Sequence, residues 1–217
     1  RNILRISSII IILFQLSCSQ NKKRENIIVA SAGKIESLDP AQANTLRTLQ
    51  ILSALGDTLY KINKEGNLYP NLASGLPKSS RNRLIIDIPL KENISFHDGS
   101  VFNAAAMKFS LDRFMNIGTL NYLLKDKIES IEVKDEFLLR IKLKKPSSSL
   151  KILLTSVNLT PVSPNSYSNY KDKFNNKSFI GTGPYLLEKF TSNQQTIKPF
   201  KNYWGTKPLN KGIDFIN

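Results

Sequence analysis

Residues 84–113 read LIIDIPLKENISFHDGSVFNAAAMKFSLDR. The β-branched run RLIIDIPL (83–90) and the short ISF (94–96) read as strands separated by KEN, and HDGS (97–100) reads as the turn after them. Gly99 tolerates the positive φ such a turn asks for, and the Asp98 carboxylate can bond its own backbone. Phe96 is expected to bury beneath the turn. NAAAMKFSLDRFM (103–115) then reads as a helix with Asn103 as N-cap. Met107, Leu111 and Phe114, spaced four and three apart, share its apolar face.

Working outward, NIIVASA (26–32) is a β-branched strand, and TLRTLQILSAL (45–55) is a helix with Asn44 as its N-cap. Leu46, Leu49, Ile51, Leu52 and Leu55 fall largely on one face of that helix. IESIEV (128–133) and FLLRIKL (137–143) straddle KDE and predict a hairpin. GTGPYLLEKF (181–190) and TIKPF (196–200) predict a second strand pair, whose two glycines permit close backbone approach and whose Pro184 suits a strand's first residues. Tyr203 and Trp204 offer large apolar area with a polar handle, and packing within their own lobe is favoured over ligand stacking. GIDFIN (212–217) reads as a strand, which implies that its sheet continues beyond these residues.

Upstream, IIIILFQLSCSQNKK (9–23) joins an apolar run to the single cysteine and then to a basic stretch. The run from Ile9 to Leu16 is far short of the roughly 20 apolar residues of a membrane span. It fits a secretory leader, with Arg1 and Arg5 as the positive region, 6–16 as the apolar region and Ser17 as a small cleavage position. A start at Arg1 in place of Met implies either that the first residues are absent or that the start is set late, and in both cases the positive region is incomplete. An unpaired cysteine in an exported chain is an inert thiol, an intermolecular link or a modified residue.

Composition is that of a globular chain, with 41% hydrophobic and 22% charged residues among 217. That length holds one large domain or parts of two. The net charge is +14; residues 1–25 carry five Arg/Lys against one Glu, a net of +4, which leaves +10 on the remainder. The lysines of the remainder are scattered, without an Arg-rich stripe or an aromatic RNA-binding motif, so nucleic acid is excluded as a partner. The densest patch, RIKLKK (140–145), alternates as a strand with one solvated face.

Catalysis is rejected on the residues present. His97, the single histidine, stands beside Asp98, but adjacency does not supply triad geometry. Neither a GxSxG elbow nor an HExxH helix occurs. One histidine and one cysteine are too few for a catalytic zinc site, so no metal or cofactor is expected.

Three blocks carry a resemblance: SLDPAQANTLRTLQILSALGDTLYKINKEGNLYPNLASG (37–75), the stretch 84–113, and GTGPYLLEKFTSNQQTIKPFKNYWGTKPLNKGIDFI (181–216). In order and spacing they resemble the N-terminal part of the family-5 solute-binding proteins, the oligopeptide, dipeptide and nickel receptors of ABC importers. The resemblance covers 27–217. LSC (16–18) similarly resembles the lipobox of bacterial lipoproteins, with Gln15 standing where that pattern prefers an aliphatic residue. It implies that Cys18 carries lipid and forms the mature N-terminus, held stably because more than one acyl chain inserts. The chain also departs from the family at 103–106, where Thr or Ser followed by an acidic residue is usual and Asn103 and Ala106 stand instead.

The resemblance implies an α/β, two-lobed periplasmic-binding-protein-like fold of type II with an extra intermediate domain, its C-terminal lobe missing from these residues. The implied organisation is a signal peptide over 1–17, a lipid-anchored tether over 18–26, the first part of lobe I over 27–44, the intermediate domain over 45–156 and lobe I continued over 157–217. The implied function is capture of a peptide or small-molecule solute for a permease and ATPase complex, on the periplasmic side of the cell membrane. Ala43, Asn44, Thr45 and Leu46 lie where the family's ligand lies, and Tyr122 adds contact area and a hydroxyl. Helix capping is the competing role for Asn44. Two other functions stay open: a ligand-sensing lipoprotein that signals to a sensor kinase, and a truncated relic that binds nothing.

Overall fold

A computed structural model describes residues 26–30, 32–35, 37–166 and 179–217. The apolar leader and Cys18 lie outside the described residues. In chain order the elements are β1 (Ile27–Ala30), α1 (Leu46–Leu55), β2 (Tyr60–Ile62), β3 (Leu68–Pro70), β4 (Lys78–Ser79), β5 (Ile85–Pro89) and α2 (Ala104–Ile117). They continue with α3 (Tyr122–Lys125), β6 (Ile128–Asp135), β7 (Leu138–Leu143), α4 (Leu150–Leu153), β8 (Tyr185–Phe190), β9 (Gln194–Pro199) and β10 (Ile213–Ile216).

The sheet built on the opening stretch has the order β4-β5-β7-β6 and is antiparallel throughout. Ile86 pairs with Ile141 and Ile88 with Leu139, and Ile131 on β6 also pairs with Ile141. Because side chains alternate across a strand, these residues share one face. They bury there with Leu143, and Met107, Leu111 and Phe114 of α2 join the same core. On the other face Arg140 donates to both oxygens of Asp87, at 2.7 Å each, and Lys142 pairs with Glu132 at 2.5 Å. The alternation read in RIKLKK is thus a charged face opposite a core face. Asn103 caps α2 by accepting from the Ala106 N–H at 3.0 Å. Phe96 is fully buried against the edge of Phe102, with ring centroids 6.1 Å apart. Gly99 has φ +84 in the turn above it.

The second sheet has the order β1-β10-β9-β8, with β1 parallel to β10 and the remaining pairs antiparallel. Ile51, Leu52 and Leu55 of α1 pack with Ile197 and Phe215 of this sheet and with Phe179. GTGPY passes tightly beneath the end of α1, where the Gly183 N–H donates to the Leu55 carbonyl at 3.0 Å. A Cβ at Gly183 would lie 2.5 Å from the Gly56 nitrogen, so only glycine fits.

Three local expectations change. α1 is capped by Thr45, whose hydroxyl accepts from the Thr48 N–H at 3.3 Å, and not by Asn44. Leu46 leaves the apolar face and is 74% exposed, because the helix turns Arg47 and Thr48 inward in its first turn. ISF is not a strand; Ser95 makes an isolated bridge to Val101 across the turn. Among the described residues no helix is long and apolar enough to cross a membrane.

Candidate functional site

The two sheet-based units meet around residues 38–46, and buried polar contacts fix the backbone there. Asp39 starts a 3-10 turn over Pro40–Gln42 by accepting from the Ala41 N–H at 3.0 Å through one carboxylate oxygen. Its other oxygen accepts from Arg113 of α2 at 2.7 Å, and both side chains are at most 2% exposed. Burial pushes the Asp39 carboxyl upward, while Arg113 and the Ala41 N–H pull the other way.

Two further contacts hold the same turn. The Asn158 side-chain amide donates to the Pro40 carbonyl at 2.9 Å and to the Ala43 carbonyl at 2.7 Å. The Thr119 N–H donates to the Ala41 carbonyl at 3.0 Å. Behind these, the Arg47 guanidinium donates to the Gly33 carbonyl and to Gln195 of β9.

The five expected ligand residues sort out against this frame. Ala43 is buried and its carbonyl is occupied by Asn158, so its side chain belongs to the core. Asn44 and Thr45 are exposed, and the Thr45 hydroxyl serves the helix cap. Leu46 stands out at 74% exposure and Tyr122 at 54%. Tyr122 opens α3 three residues after Thr119, the residue hydrogen-bonded to 41–42. The structure therefore joins the Tyr122 segment to the 40–46 segment while leaving Asn44, Leu46 and Tyr122 outward. Beside them Phe114, Leu120, Leu123, Leu153, Leu159 and Asn158 line a small cavity of about 20 Å³, space for about one water.

An amide, a hydroxyl, an aliphatic and an aromatic side chain supply hydrogen bonds and contact area. They contain no acid or base for proton transfer. His97 is not part of this edge: its Nε2 donates to the Gly183 carbonyl at 3.0 Å, and its ring packs 4.9 Å from that of Phe200. Burial lowers its pKa, which keeps the imidazole neutral. Asp98 faces Ser100 and Ser163, with the Ser163 hydroxyl at 2.5 Å. Burial opposes its ionised form, but those hydroxyl donors outweigh it and hold the pKa below the ordinary range. The two neighbours thus serve different loops and form no dyad. Among the described residues no group of three or more His, Cys, Asp or Glu side chains is placed to hold a metal ion.

Sequence reasoning missed the group that fixes GTGPY and YW. The buried Asp57 carboxylate accepts from Trp204 Nε1 at 3.0 Å, Tyr203 hydroxyl at 3.2 Å, Asn71 amide at 3.4 Å and Thr182 hydroxyl at 3.4 Å. Burial raises the Asp57 pKa against those donors, and burial next to Asp57 pushes the Tyr203 hydroxyl up. Tyr203 and Trp204 therefore spend their polar ends inside the protein. A lone Asp in DTLY carries no local signal for Thr182, Tyr203 and Trp204, which lie 125, 146 and 147 residues away.

Comparison with known proteins agrees with this architecture. Residues 67–216 match the family described as bacterial extracellular solute-binding proteins, family 5 Middle. The glutathione-binding protein GsiB of Salmonella typhi is 30% identical over 183 residues, which cover 83% of this chain and 35% of that protein. An ABC transporter substrate-binding protein from Sinorhizobium meliloti superposes with a TM-score of 0.77 at 27% identity, over 88% of this chain and 39% of that one. Listeria monocytogenes OppA, solved bound to peptide, shares the fold with a TM-score of 0.79 at 21% identity, over 90% of this chain and 43% of its own. The chain thus spans about a third of the length of the curated relatives it matches. On the match over 67–216, the chain belongs to the bacterial extracellular solute-binding proteins, family 5.

Proposed function

We propose that this chain is the N-terminal part of a receptor that captures short peptides or similar small solutes and delivers them to an ABC permease and its ATPase. The observation that carries this reading is the exposed edge formed by Asn44, Leu46 and Tyr122 on a backbone clamped by Asp39, Asn158 and Thr119. Preorganised contact groups lose little freedom when a ligand arrives. A peptide backbone can bond to such an edge largely without regard to its side chains. The similarity to a glutathione-binding protein and to a peptide-bound relative supports a peptide-like solute.

In this reading the β1-β10-β9-β8 sheet belongs to lobe I and the β4-β5-β7-β6 sheet to the intermediate domain. The packing of Ile51, Leu52 and Leu55 with the lobe I sheet supports drawing the first boundary of this reading after Leu55, in place of the one before Thr45. Cys18 is proposed as the lipid-bearing N-terminus on the periplasmic side of the cell membrane. Alkynyl fatty acid fed to cells should label the protein but not Cys18→Ala; equal labelling ends that part of the proposal.

Thr45 is a poor probe of ligand contact, since its hydroxyl caps α1. Leu46→Trp adds bulk at an exposed position that holds nothing else. Solute co-purified with the complete protein, identified by mass spectrometry, gives the titrant. Leu46→Trp should weaken its binding more than tenfold while Tm stays within about 2 °C. Unchanged affinity would remove 44–46 from the ligand surface.

A further inference from the structure

A groove that shares none of these residues lies between the β4–β5 turn and the segment leading from β7 into α4. Ser79, Arg83, Ser147, Ser148 and Lys151 line it around Ile86, and it encloses about 490 Å³. That volume is in the range of small-molecule sites. Its chemistry is one-sided. The segments 76–85 and 138–151 carry eight Lys and Arg and no Asp or Glu. Of these, Arg140 and Lys142 are paired with Asp87 and Glu132 on the solvent face of the sheet. Arg83 and Lys151 have neither an ion pair nor a side-chain hydrogen bond among the described residues.

Arg83 is also held in an unusual way. Its φ is +58, a conformation that few residues other than glycine adopt. Hydrogen bonds brace the turn around it: the Arg83 N–H donates to the Ser80 carbonyl at 2.9 Å, and the Ile85 N–H to the Ser80 hydroxyl at 3.0 Å. A bulky cation is thus kept at the groove on a rigid turn. On the other side of Lys151 a second hollow of about 460 Å³ is lined by Leu68, Leu76 and Pro77. Leu76 is 55% exposed there. Lys151 stands between a cationic, hydroxyl-bearing half and an apolar half.

We propose that this groove binds a small amphiphilic anion, with its phosphate or carboxylate head between Arg83 and Lys151 and its apolar body over Leu68 and Leu76. The guanidinium fork matches both head groups, and the serine hydroxyls supply neutral donors beside it. Clustered charge of one sign in a concave surface raises the local concentration of the opposite ion.

Calorimetry on the full chain with octyl phosphate, inorganic phosphate and octyl glucoside tests this. Octyl phosphate should bind at least tenfold more tightly than either of the others. Arg83→Gly combined with Lys151→Gln should lose that binding at least tenfold, whereas Lys145→Ser, outside the groove, should change it less than twofold. Glycine accepts the positive φ at position 83, so Tm should hold or rise and a lost signal cannot come from unfolding. Co-sedimentation with phosphatidylglycerol vesicles that the double variant abolishes would place the head group in a membrane; its absence, with octyl phosphate still bound, would place it on a free solute. Equal binding of octyl phosphate by the double variant, or of octyl glucoside by the wild type, overturns the proposal.

Discussion

Two stretches of this chain relate hydropathy to burial in opposite ways. In α2 the two agree: Met107, Leu111 and Phe114 are buried, while Lys108 and Asp112 pair on the outside at 2.5 Å. Over 38–48 they disagree, with Asp39, Arg47 and Thr48 inside and Leu46 outside. Where α2 itself buries polar groups, they reach other parts of the fold. Arg113 meets Asp39, and the Ser110 hydroxyl accepts from the Val162 N–H at 3.0 Å. Buried polar groups thus mark the crossings between the two units, where fixing one backbone geometry matters more than adding apolar area. Apolar burial fills a core without direction, whereas a charged pair must be met at a particular angle.

The largest effect should come from breaking the crossing. Asp39→Ala removes the carboxylate opposite a buried guanidinium and the cap of the Pro40–Gln42 turn together. Urea denaturation should show a loss of about 3–5 kcal/mol. A loss below ~1 kcal/mol would mean that the pair does not hold the units together, and the contrast with α2 would collapse. Next, Leu111→Ala in the ordinary helix should cost about 2–5 kcal/mol through transfer and cavity terms. Leu46→Ala should stay within about 0.5 kcal/mol, as an exposed site does. Equal costs for the two leucines would show that Leu46 is packed in the native protein.

The same contrast explains what was legible in the sequence. α2, its Asn103 cap and the β6–β7 hairpin could be read because their burial follows their periodicity. Phe96 under HDGS could be read because turn chemistry is local. The first turn of α1 could not: its inward face is set by Gly33 and by Gln195, 148 residues from Arg47. Asn44 and Thr45 are both good caps, and only tertiary placement chose between them. The β2–β3 hairpin was overlooked although Gly66, at φ +82 between Glu65 and Asn67, marks its turn. Its three-residue strands are too short to show alternation. Asp57 remained hidden because every donor to its carboxylate lies outside its own segment.

The caps rank below the cores. Asn103→Ala and Thr45→Ala should each lose about 1 kcal/mol, and Asn44→Ala far less, by thermal or urea denaturation. A larger loss at Asn44 than at Thr45 would restore the earlier assignment of the cap and withdraw the reason for choosing Leu46 as the ligand probe.

The smallest effect should come from the solvent face of the intermediate sheet, where Arg140 and Asp87 pair in partial exposure. Hydrogen bonds from Arg140 hold the Asp87 carboxyl below the ordinary carboxylate range, helped by the charges of Arg140, Lys134 and Lys78. A folded-state pKa below the unfolded one contributes stability that is present above the unfolded value, near 3.9, and lost as pH falls through the folded value. Asp87→Asn removes that contribution at every pH. The Tm difference between wild type and Asp87→Asn should therefore be steady near neutrality and close as pH drops below about 4. It should also shrink on adding 1 M salt, because exposed pairs are screened whereas the Asp39–Arg113 pair is not. Near neutrality the difference should stay below that of either cap substitution, since a surface pair attracts through water and must order two long side chains. Superimposable curves for the two proteins would show that Asp87 and Arg140 interact equally in the unfolded chain. A difference that resisted salt would instead place this pair with Asp39 and Arg113, as a crossing hidden from solvent.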